Sequence, residues 1–598
     1  MQAGAATPVT ASVVGAVNGP EGGVLDWPEI DWRAVEDDVR RLRQRIFTAS
    51  KAGDLKRVRN LQKLMLRSRS NALVSVRRVT EVNAGRATAG VDGRTVVFDE
   101  HKIELVNWMQ HRAASWRAQP VKRVFIPKSS GGKRGLGIPV IVDRALQARV
   151  LNALEPEWEA RFEPKSYGFR PGRGCQDAIG AIYLVVNGKN PHRQWALDAD
   201  LAAAFDRIDH DRLLAALGSF PAREQIRAWL KAGVIDKDGF TATEEGTPQG
   251  GVVSPLLLNV ALHGMEEAAG VRYSKLGTKT VLSKDSPALI RYADDLVALC
   301  HTREQAEQVK ARLSAWLTPR GLAFNEDKTH IVHVEDDGFD FLGFTVRRYG
   351  GKLLIKPSKA ALRRHRQRLR AEMLALRGSN AQTVIRTMNP IVRGWSVYYR
   401  TVVSSQEFNA LDNYMWKLNY KWAKRSHPNK PKRWIVNRYF GQFNPSRTDK
   451  WVLGDRESGT YLRKFSWTKI IRHQLVSGTA SPDDPALAEY WAKRRRRRAL
   501  PPMSKAVVSQ LKTQDGRCSR CGDFLLHADR EPQSPQEWEQ WARVTRRAIT
   551  KQHILAPGQN GTPDDLQTRL IHSRCRRRHT TSDGSPATAP ARKPLGLA

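Results

Sequence analysis

Arg291-Tyr292-Ala293-Asp294-Asp295-Leu296-Val297 joins two apolar runs, Ala288-Leu289-Ile290 and Leu296-Val297-Ala298-Leu299. Two strand-like runs around a short polar break predict a β-hairpin that carries two carboxylates at its tip. Adjacent carboxylates repel unless a cation neutralises them, and a hard cation such as Mg²⁺ takes oxygen ligands together with substrate phosphates. Upstream, Leu197-Asp198-Ala199-Asp200-Leu201 closes an alternating strand pattern just before Phe205 and supplies a third carboxylate, Asp200. Three carboxylates suit two metal ions about 3.5–4 Å apart, the arrangement that supports in-line displacement at a phosphate without a covalent intermediate. An isolated Asp-Asp pair also suits a solvated turn, so the surrounding sequence has to decide.

Composition points to a polyanionic partner. Lys and Arg number 99 against 60 Asp and Glu, a formal net charge of +39, and counterion release then favours nucleic acid. Trp and Tyr recur among the C-terminal basic residues as stacking groups would, whereas a plain solvated basic face needs none. No apolar run reaches the roughly eighteen residues of a membrane span, and residues 1–24 lack the basic and apolar regions of a secretory signal. An intracellular, cytoplasmic protein with no membrane partner is expected. Only five Cys occur, three of them towards the C-terminus, which favours a metal site over a disulfide framework.

At 598 residues the chain should divide into several domains. Residues 1–24 and 581–598 read as disordered tails. Residues 25–95 form a basic helical extension, with Val39, Leu42, Ile46, Leu55, Val58, Leu61 and Leu64 at helical spacing. Residues 96–350 alternate short apolar runs, Gly and Pro turns and helical segments, an α+β body. Helical signal dense in Arg and Lys fills 351–445, a charged, Pro-punctuated linker spans 446–505, and 506–580 holds the Cys cluster.

With those pieces in place the sequence resembles the reverse transcriptases encoded by bacterial group II introns, along nearly its whole length. Tyr292-Ala293-Asp294-Asp295 matches the family's polymerase signature, and Asp200-Leu-Ala-Ala-Ala-Phe-Asp206 its first catalytic block. The resemblance implies a right-hand polymerase fold of fingers and an antiparallel palm sheet, with Asp200, Asp294 and Asp295 as catalytic ligands of two Mg²⁺. It places Phe205 against the sugar of the incoming dNTP, where a 2′-hydroxyl would collide. Ile126-Pro127-Lys128, Lys133-Arg134 and Leu136-Gly137-Ile138-Pro139 resemble the fingers segment in which Lys133 and Arg134 hold the triphosphate. Gly135 stands where the family usually has Pro, which loosens the turn. Ser166-Tyr-Gly-Phe-Arg-Pro-Gly172 borders the template site, and Thr247-Pro-Gln-Gly-Gly-Val-Val-Ser-Pro255 resembles the loop at the nascent base pair, with Gln249 facing the nucleotide. Leu322–Thr329, with Lys328, and Phe341-Leu-Gly-Phe344 match the last palm strands and primer grip.

Asn389-Pro-Ile-Val-Arg-Gly-Trp395, Tyr398-Tyr-Arg400 and Trp422-Ala-Lys-Arg-Ser-His-Pro428 resemble the helical thumb, or maturase X domain, which in the family binds intron RNA and assists splicing. Arg393, Trp395, Tyr399, Arg400, Lys424 and Arg425 are the RNA-contact candidates. Helical spacing also allows the aromatics to be core, with only the cations facing RNA. Lys493–Arg498 reads equally as part of a DNA-binding segment or as a solvated charge run.

Cys518-Ser-Arg-Cys521 and Cys575-Arg-Arg-Arg-His579 offer a tetrahedral set for a structural Zn²⁺. With His553 and His572 they resemble the small ββα HNH endonuclease unit that many of these proteins carry for cutting target DNA, with His553 as general base. Gln552 and Asp565 depart from that motif where an acidic residue or His, and Asn, are usual, so a divalent-metal nuclease and a decayed DNA-binding unit both stand. The expected function is copying of group II intron RNA into DNA, with splicing and mobility roles. The alternatives are an RNA-binding splicing factor without polymerase and a domesticated reverse transcriptase.

Overall fold

Side chains of Asp31, Asp54 and Ser68 cap three successive helices, α1 (Trp32–Lys51), α2 (Leu55–Arg67) and α3 (Arg69–Arg77), by accepting from backbone N–H groups of the first turn. Val39, Leu42, Ile46, Val58, Leu61 and Met65 turn one face inward, and the cations between them face out. α4 (Asp99–His111) follows. The computed structural model describes residues 26–83, 85–127, 132–189, 191–276, 279–497, 505–514, 516–519, 525, 532–555, 566–572 and 575. The tails 1–24 and 581–598, read as disordered above, lie outside them.

The fingers sheet has the order β2-β1-β4-β5, built from β1 (Val121–Pro127), β2 (Lys133–Ile138), β4 (Val234–Asp236) and β5 (Gly239–Thr241). β1 and β2 are antiparallel and β1 pairs with β4 in parallel. The deeply buried α5 (Ile141–Glu159) packs against α1, α2 and α3, and α6 (Cys175–Val186) packs on the palm strand β8 (Ala288–Tyr292).

The palm sheet has the order β10-β3-β9-β8 and is antiparallel throughout, from β3 (Trp195–Asp200), β8 (Ala288–Tyr292), β9 (Asp295–Cys300) and β10 (His330–His333). Its strands read as continuous apolar runs because both faces are covered. Leu197, Ala199, Leu296, Ala298 and Cys300 join the core made with α1–α5 and the helices α7 (Ala204–Arg207), α8 (His210–Leu217), α9 (Arg223–Leu230), α10 (Ser254–Ala261), α11 (Met265–Ala268) and α12 (Arg303–Leu317). Ala196, Val297 and Leu299 join a second core shared with the thumb. Asp200 pairs with Asp295 across β3 and β9, so both carboxylates stand on the thumb-side face. A small ribbon, β6 (Tyr273–Leu276) and β7 (Lys279–Leu282), precedes β8.

β11 (Phe339–Phe341), β12 (Phe344–Tyr349) and β13 (Lys352–Pro357) lead into the thumb helices α13 (Lys359–Ala375), α14 (Ala381–Tyr399), α15 (Ser405–Ser426) and α16 (Lys432–Tyr439). Next comes the pair β14 (Phe440–Gly441) and β15 (Val452–Leu453).

Residues 473–491, inside the segment read as a linker, are packed onto the polymerase. Asp177 of α6 accepts His473 Nε2 at 2.8 Å and Val476 N at 2.9 Å. Burial pushes the Asp177 carboxyl up, and those donors with Arg494 outweigh it, leaving it below the usual range. Arg43 of α1 bridges Glu155 and Asp483, and the indole of Trp491 donates to Ser481 O. The strap therefore ties the first helix to the palm.

α17 (Ala488–Arg497), α18 (Lys505–Thr513) and α19 (Pro535–Ala548) precede the hairpin of β16 (Ile549–Leu555) and β17 (Leu566–His572). α19 lies along α14, where Gly394 is needed: a Cβ there would sit 2.6 Å from Pro535 O. Among the described residues no helix is long and apolar enough to cross a membrane.

Candidate active site and nucleic-acid surfaces

Ala293 and Asp294 make the two-residue turn between β8 and β9, with Ala293 left-handed at φ 58°. That conformation is unfavourable for alanine, and the surroundings impose it. Arg291 is buried and donates to Asn259 Oδ1 at 2.9 Å, Ser166 Oγ at 2.8 Å and Ala293 O at 3.3 Å. Asn259 donates in turn to Gly168 O. A Cβ on Gly168 would lie 2.2 Å from Ala293 N, so only glycine lets the 166–172 loop press on the turn. The sequence reading missed Arg291 and Asn259 as organisers. The available signal was a lone Arg within an apolar strand run.

Asp294 stands at the turn, Asp295 opens β9 and Asp200 ends β3 opposite it. Asp198 lies two residues before Asp200 on the same face. Burial pushes Asp295 up to about 8, with the charges of Asp294, Asp200 and Asp198 adding to it. Burial likewise raises Asp198 to about 7, helped by Asp340 and Asp200. Asp294 is raised by burial and by Asp200, while Arg134 and Lys328 pull the other way. Lys328 Nζ donates to Asp200 Oδ2 at 2.5 Å. A half-buried group of like charges, met by one lysine from the short helical turn before β10 and one fingers arginine, is a donor set suited to divalent cations.

Phe205 is buried and meets Phe169 edge to face, at 6.1 Å and 73°. Phe169 and Ala203 also have left-handed backbones, so with Ala293 three such residues border this centre. Lys133 and Arg134 are exposed on β2. The hairpin tip 128–131 lies outside the described residues. Gln249 O accepts from Gly137 N at 2.8 Å, and a Cβ on Gly250, at φ 128°, would meet Gly137 O at 2.5 Å. Gln147 Oε1 accepts from Val252 N and fixes the other end of that loop. The loop thus rests on β2, and Arg134 of the same strand acts on Asp294 through its charge.

In the thumb, Trp395 and Tyr399 are each 3% exposed. Trp395 stacks on His365, and the Tyr399 hydroxyl donates to Gly343 O. Both therefore lie in the core that joins thumb to palm, the second of the two uses that helical spacing allowed, and not on an RNA-facing surface. Arg393 and Arg400 are half-buried, and Lys424 and Arg425 are exposed at the end of α15, with Lys424 donating to Pro428 O.

Cys518, His572 and Cys575 bring one ligand atom each to within 4.8 Å of one another, all buried. Cys521 and His579 lie outside the described residues, as does the His553 side chain, although His553 itself pairs with Thr568 in the hairpin. His572, not chosen as a ligand from spacing, enters because β17 ends beside Cys575.

A palm sheet carrying paired carboxylates on adjacent strands, faced by a fingers hairpin and a helical thumb, defines a template-directed nucleotidyltransferase. Residues 126–346 match the reverse transcriptase (RNA-dependent DNA polymerase) family, residues 27–109 the N-terminal domain of reverse transcriptase, and residues 362–440 the group II intron maturase-specific domain. The chain is 33% identical over 335 residues to protein YkfC of Escherichia coli, covering 51% of this chain and 87% of that one. It is 28% identical over 323 residues to the group II intron-encoded protein LtrA of Lactococcus lactis, covering 44% of this chain and 53% of LtrA. An uncharacterized 91 kDa protein in the cob intron of Schizosaccharomyces pombe is 26% identical over 428 residues, 58% of this chain and 52% of that protein. The chain thus spans most of YkfC and about half of the other two. It belongs to the family of group II intron-encoded reverse transcriptases and maturases, and its enzyme class is RNA-directed DNA polymerase.

Proposed function

We propose that the chain copies group II intron RNA into DNA at Asp200, Asp294 and Asp295, and that it also assists splicing and mobility of that intron. The observation that carries this is the pairing of Asp200 with Asp295 across adjacent palm strands, with Asp294 at the turn beside them and Lys328 Nζ donating to Asp200 Oδ2. Asp200, Asp294 and Asp295 would hold two Mg²⁺. Such ions, when bound, activate a primer 3′-hydroxyl and neutralise the pyrophosphate leaving group. The chain's own residues do the rest. Lys133 and Arg134 attract the triphosphate by charge-assisted hydrogen bonds. Phe205, wedged against Phe169, presents a rigid edge to the sugar and disfavours a 2′-hydroxyl. Gln249 and the glycines beside it let backbone approach the nascent pair.

Cys518, His572 and Cys575 would hold a structural Zn²⁺ and so organise the C-terminal hairpin as a target-DNA unit. Zinc analysis checks this: about one zinc per chain is expected, and Cys518→Ser should lose it. The exposed thumb cations Lys424 and Arg425 are assigned to RNA phosphates.

The test of the main reading is extension of a DNA primer on an RNA template by the purified chain with dNTPs and Mg²⁺. DNA product is expected. Absence of product across templates and salt concentrations would leave RNA binding and splicing assistance as the function.

A further inference from the structure

The start of α19 is built to hold the residue in front of it. Ser534 precedes Pro535, the first residue of the helix, and Ser534 O accepts from Trp538 N at 3.1 Å. Glu537 N donates to Ser534 Oγ at 3.2 Å, while Glu537 Oε2 accepts from Gln533 N at 3.0 Å. Proline at the first helical position and a glutamate reaching back over the cap both stabilise a helix N-terminus. The main chain of Gln533 is thereby fixed independently of its side chain.

α19 is in turn anchored to the thumb and palm. Besides lying against Gly394, it buries Glu539, which accepts from Arg368 of α13 at 2.7 Å, a charge-assisted bond. Trp538 packs against the core shared by palm and thumb.

From this anchored position the Gln533 side chain reaches two elements of the polymerase. Its Oε1 accepts from Cys175 N, at the N-terminus of α6, at 2.8 Å, and from the Tyr292 hydroxyl at 3.2 Å. Gly174 leaves room for it, since a Cβ there would lie 2.9 Å from that oxygen. The N–H groups of a first helical turn have no partner within their own helix, so Cys175 N holds the amide oxygen in place for the phenol. Tyr292 ends β8 and pairs directly with Asp295, which puts its ring at the closing pair of the hairpin that presents Asp294 and Asp295. One amide oxygen thus ties the start of α6 to the base of the acidic hairpin.

We propose that Gln533 is a positioning residue for the polymerase: through Tyr292 it holds the closing pair of the β8–β9 hairpin, and so lets the C-terminal unit set the placement of the acidic tip. The proposal rests on the reading of the chain as a polymerase that acts at Asp200, Asp294 and Asp295.

The test is single-turnover extension of a DNA primer on an RNA template, with dNTP varied, by the full chain and by Gln533→Leu, Tyr292→Phe, the two together and Gln533→Glu. The amplitude counts folded, competent molecules and the rate constant reports how well they are arranged, so a purely structural role lowers only the amplitude. Gln533→Leu and Tyr292→Phe should each lower the rate constant at saturating dNTP about tenfold, the scale of a small misplacement at a reacting centre. The dNTP concentration at half-maximal rate should stay within about threefold, because no group proposed to touch the nucleotide is removed. Together the two changes should cost no more than either alone, as expected for partners in one bond. Gln533→Glu should restore most of the rate, since a carboxylate oxygen accepts the same two bonds and suits a helix N-terminus. A loss confined to the amplitude, effects that multiply in the double variant, or a Gln533→Glu chain as slow as Gln533→Leu would overturn the positioning role and leave the polymerase reading intact. A wild-type chain that extends no primer would overturn that reading and the inference with it.

Discussion

At the scale of single residues, the centre is held by side chains that do not themselves react. Arg291 fixes the turn through Ser166, Asn259 and Ala293 O, and Gly168 lets the neighbouring loop close on it. The sugar-selecting role proposed for Phe205 is read out by its replacement. Phe205→Ala should raise incorporation of ribonucleotides relative to deoxyribonucleotides by about tenfold or more, the size of a typical steric discrimination. The ratio of kcat/KM for the two substrates on one RNA template measures it, and a ratio equal to wild type would reject the assignment. The placement of Asp294 and Asp295 at a hairpin tip, with Asp200 on the neighbouring strand, was legible because two apolar runs around a short acidic break read as paired strands. Arg291 and Asn259 were not, since their role depends on a loop more than a hundred residues away in the chain meeting the hairpin. His572 was passed over for the same reason: spacing favours ligands close in sequence, and β17 brings this one in by folding.

At the scale of elements, the palm strands and thumb helices share an interface of aromatic rings. Trp395 packs on His365, Tyr399 and Phe465, and Tyr398 stacks on Phe344. The sequence showed these aromatics at helical spacing but left two uses open, core or RNA stacking, because periodicity gives a face and not its neighbour. His365 makes the interface sensitive to acid. Burial, with Arg368 nearby, pushes its imidazole down to about 3, against 6.5 for an ordinary histidine. Between those values the unfolded chain takes up a proton that the folded chain refuses, so this contribution is fully present above pH 6.5 and is lost as pH falls towards about 3. His365→Phe keeps a ring against Trp395 and removes the titration. The wild type should therefore lose about 2 kcal/mol relative to this variant between pH 7 and pH 5, measured by chemical denaturation. Parallel losses would mean that the histidine is hydrated.

Across the whole molecule, the chain folds back on itself. Read from composition, 446–505 is a linker, because Pro and charge dominate it. In the structure its 473–491 stretch packs between α1 and α6, held by Asp177, Asp483 and Asp484. Arg43 is the centre of this tie, and burial, which lowers its pKa, is outweighed by Asp483 and Glu155. Arg43→Met would leave two largely buried carboxylates without their cation. A destabilisation of about 3–5 kcal/mol is expected from denaturant titration, and a loss below about 1 kcal/mol would show the strap to be loosely held. A separate contact reaches the hairpin of β8 and β9, where the Tyr292 hydroxyl donates to Gln533 Oε1 at 3.2 Å in the segment leading to α19. Polymerase, thumb and C-terminal unit therefore form one connected body around Asp200, Asp294 and Asp295. The measurement that tests their role most directly is primer extension on an RNA template by Asp294→Asn beside the wild type, with RNA binding followed in parallel. Extension should fall by at least about a thousandfold while RNA affinity stays within a few-fold, because the change removes a metal ligand and leaves every phosphate-binding cation in place; extension at the wild-type rate would contradict the assignment of the active site.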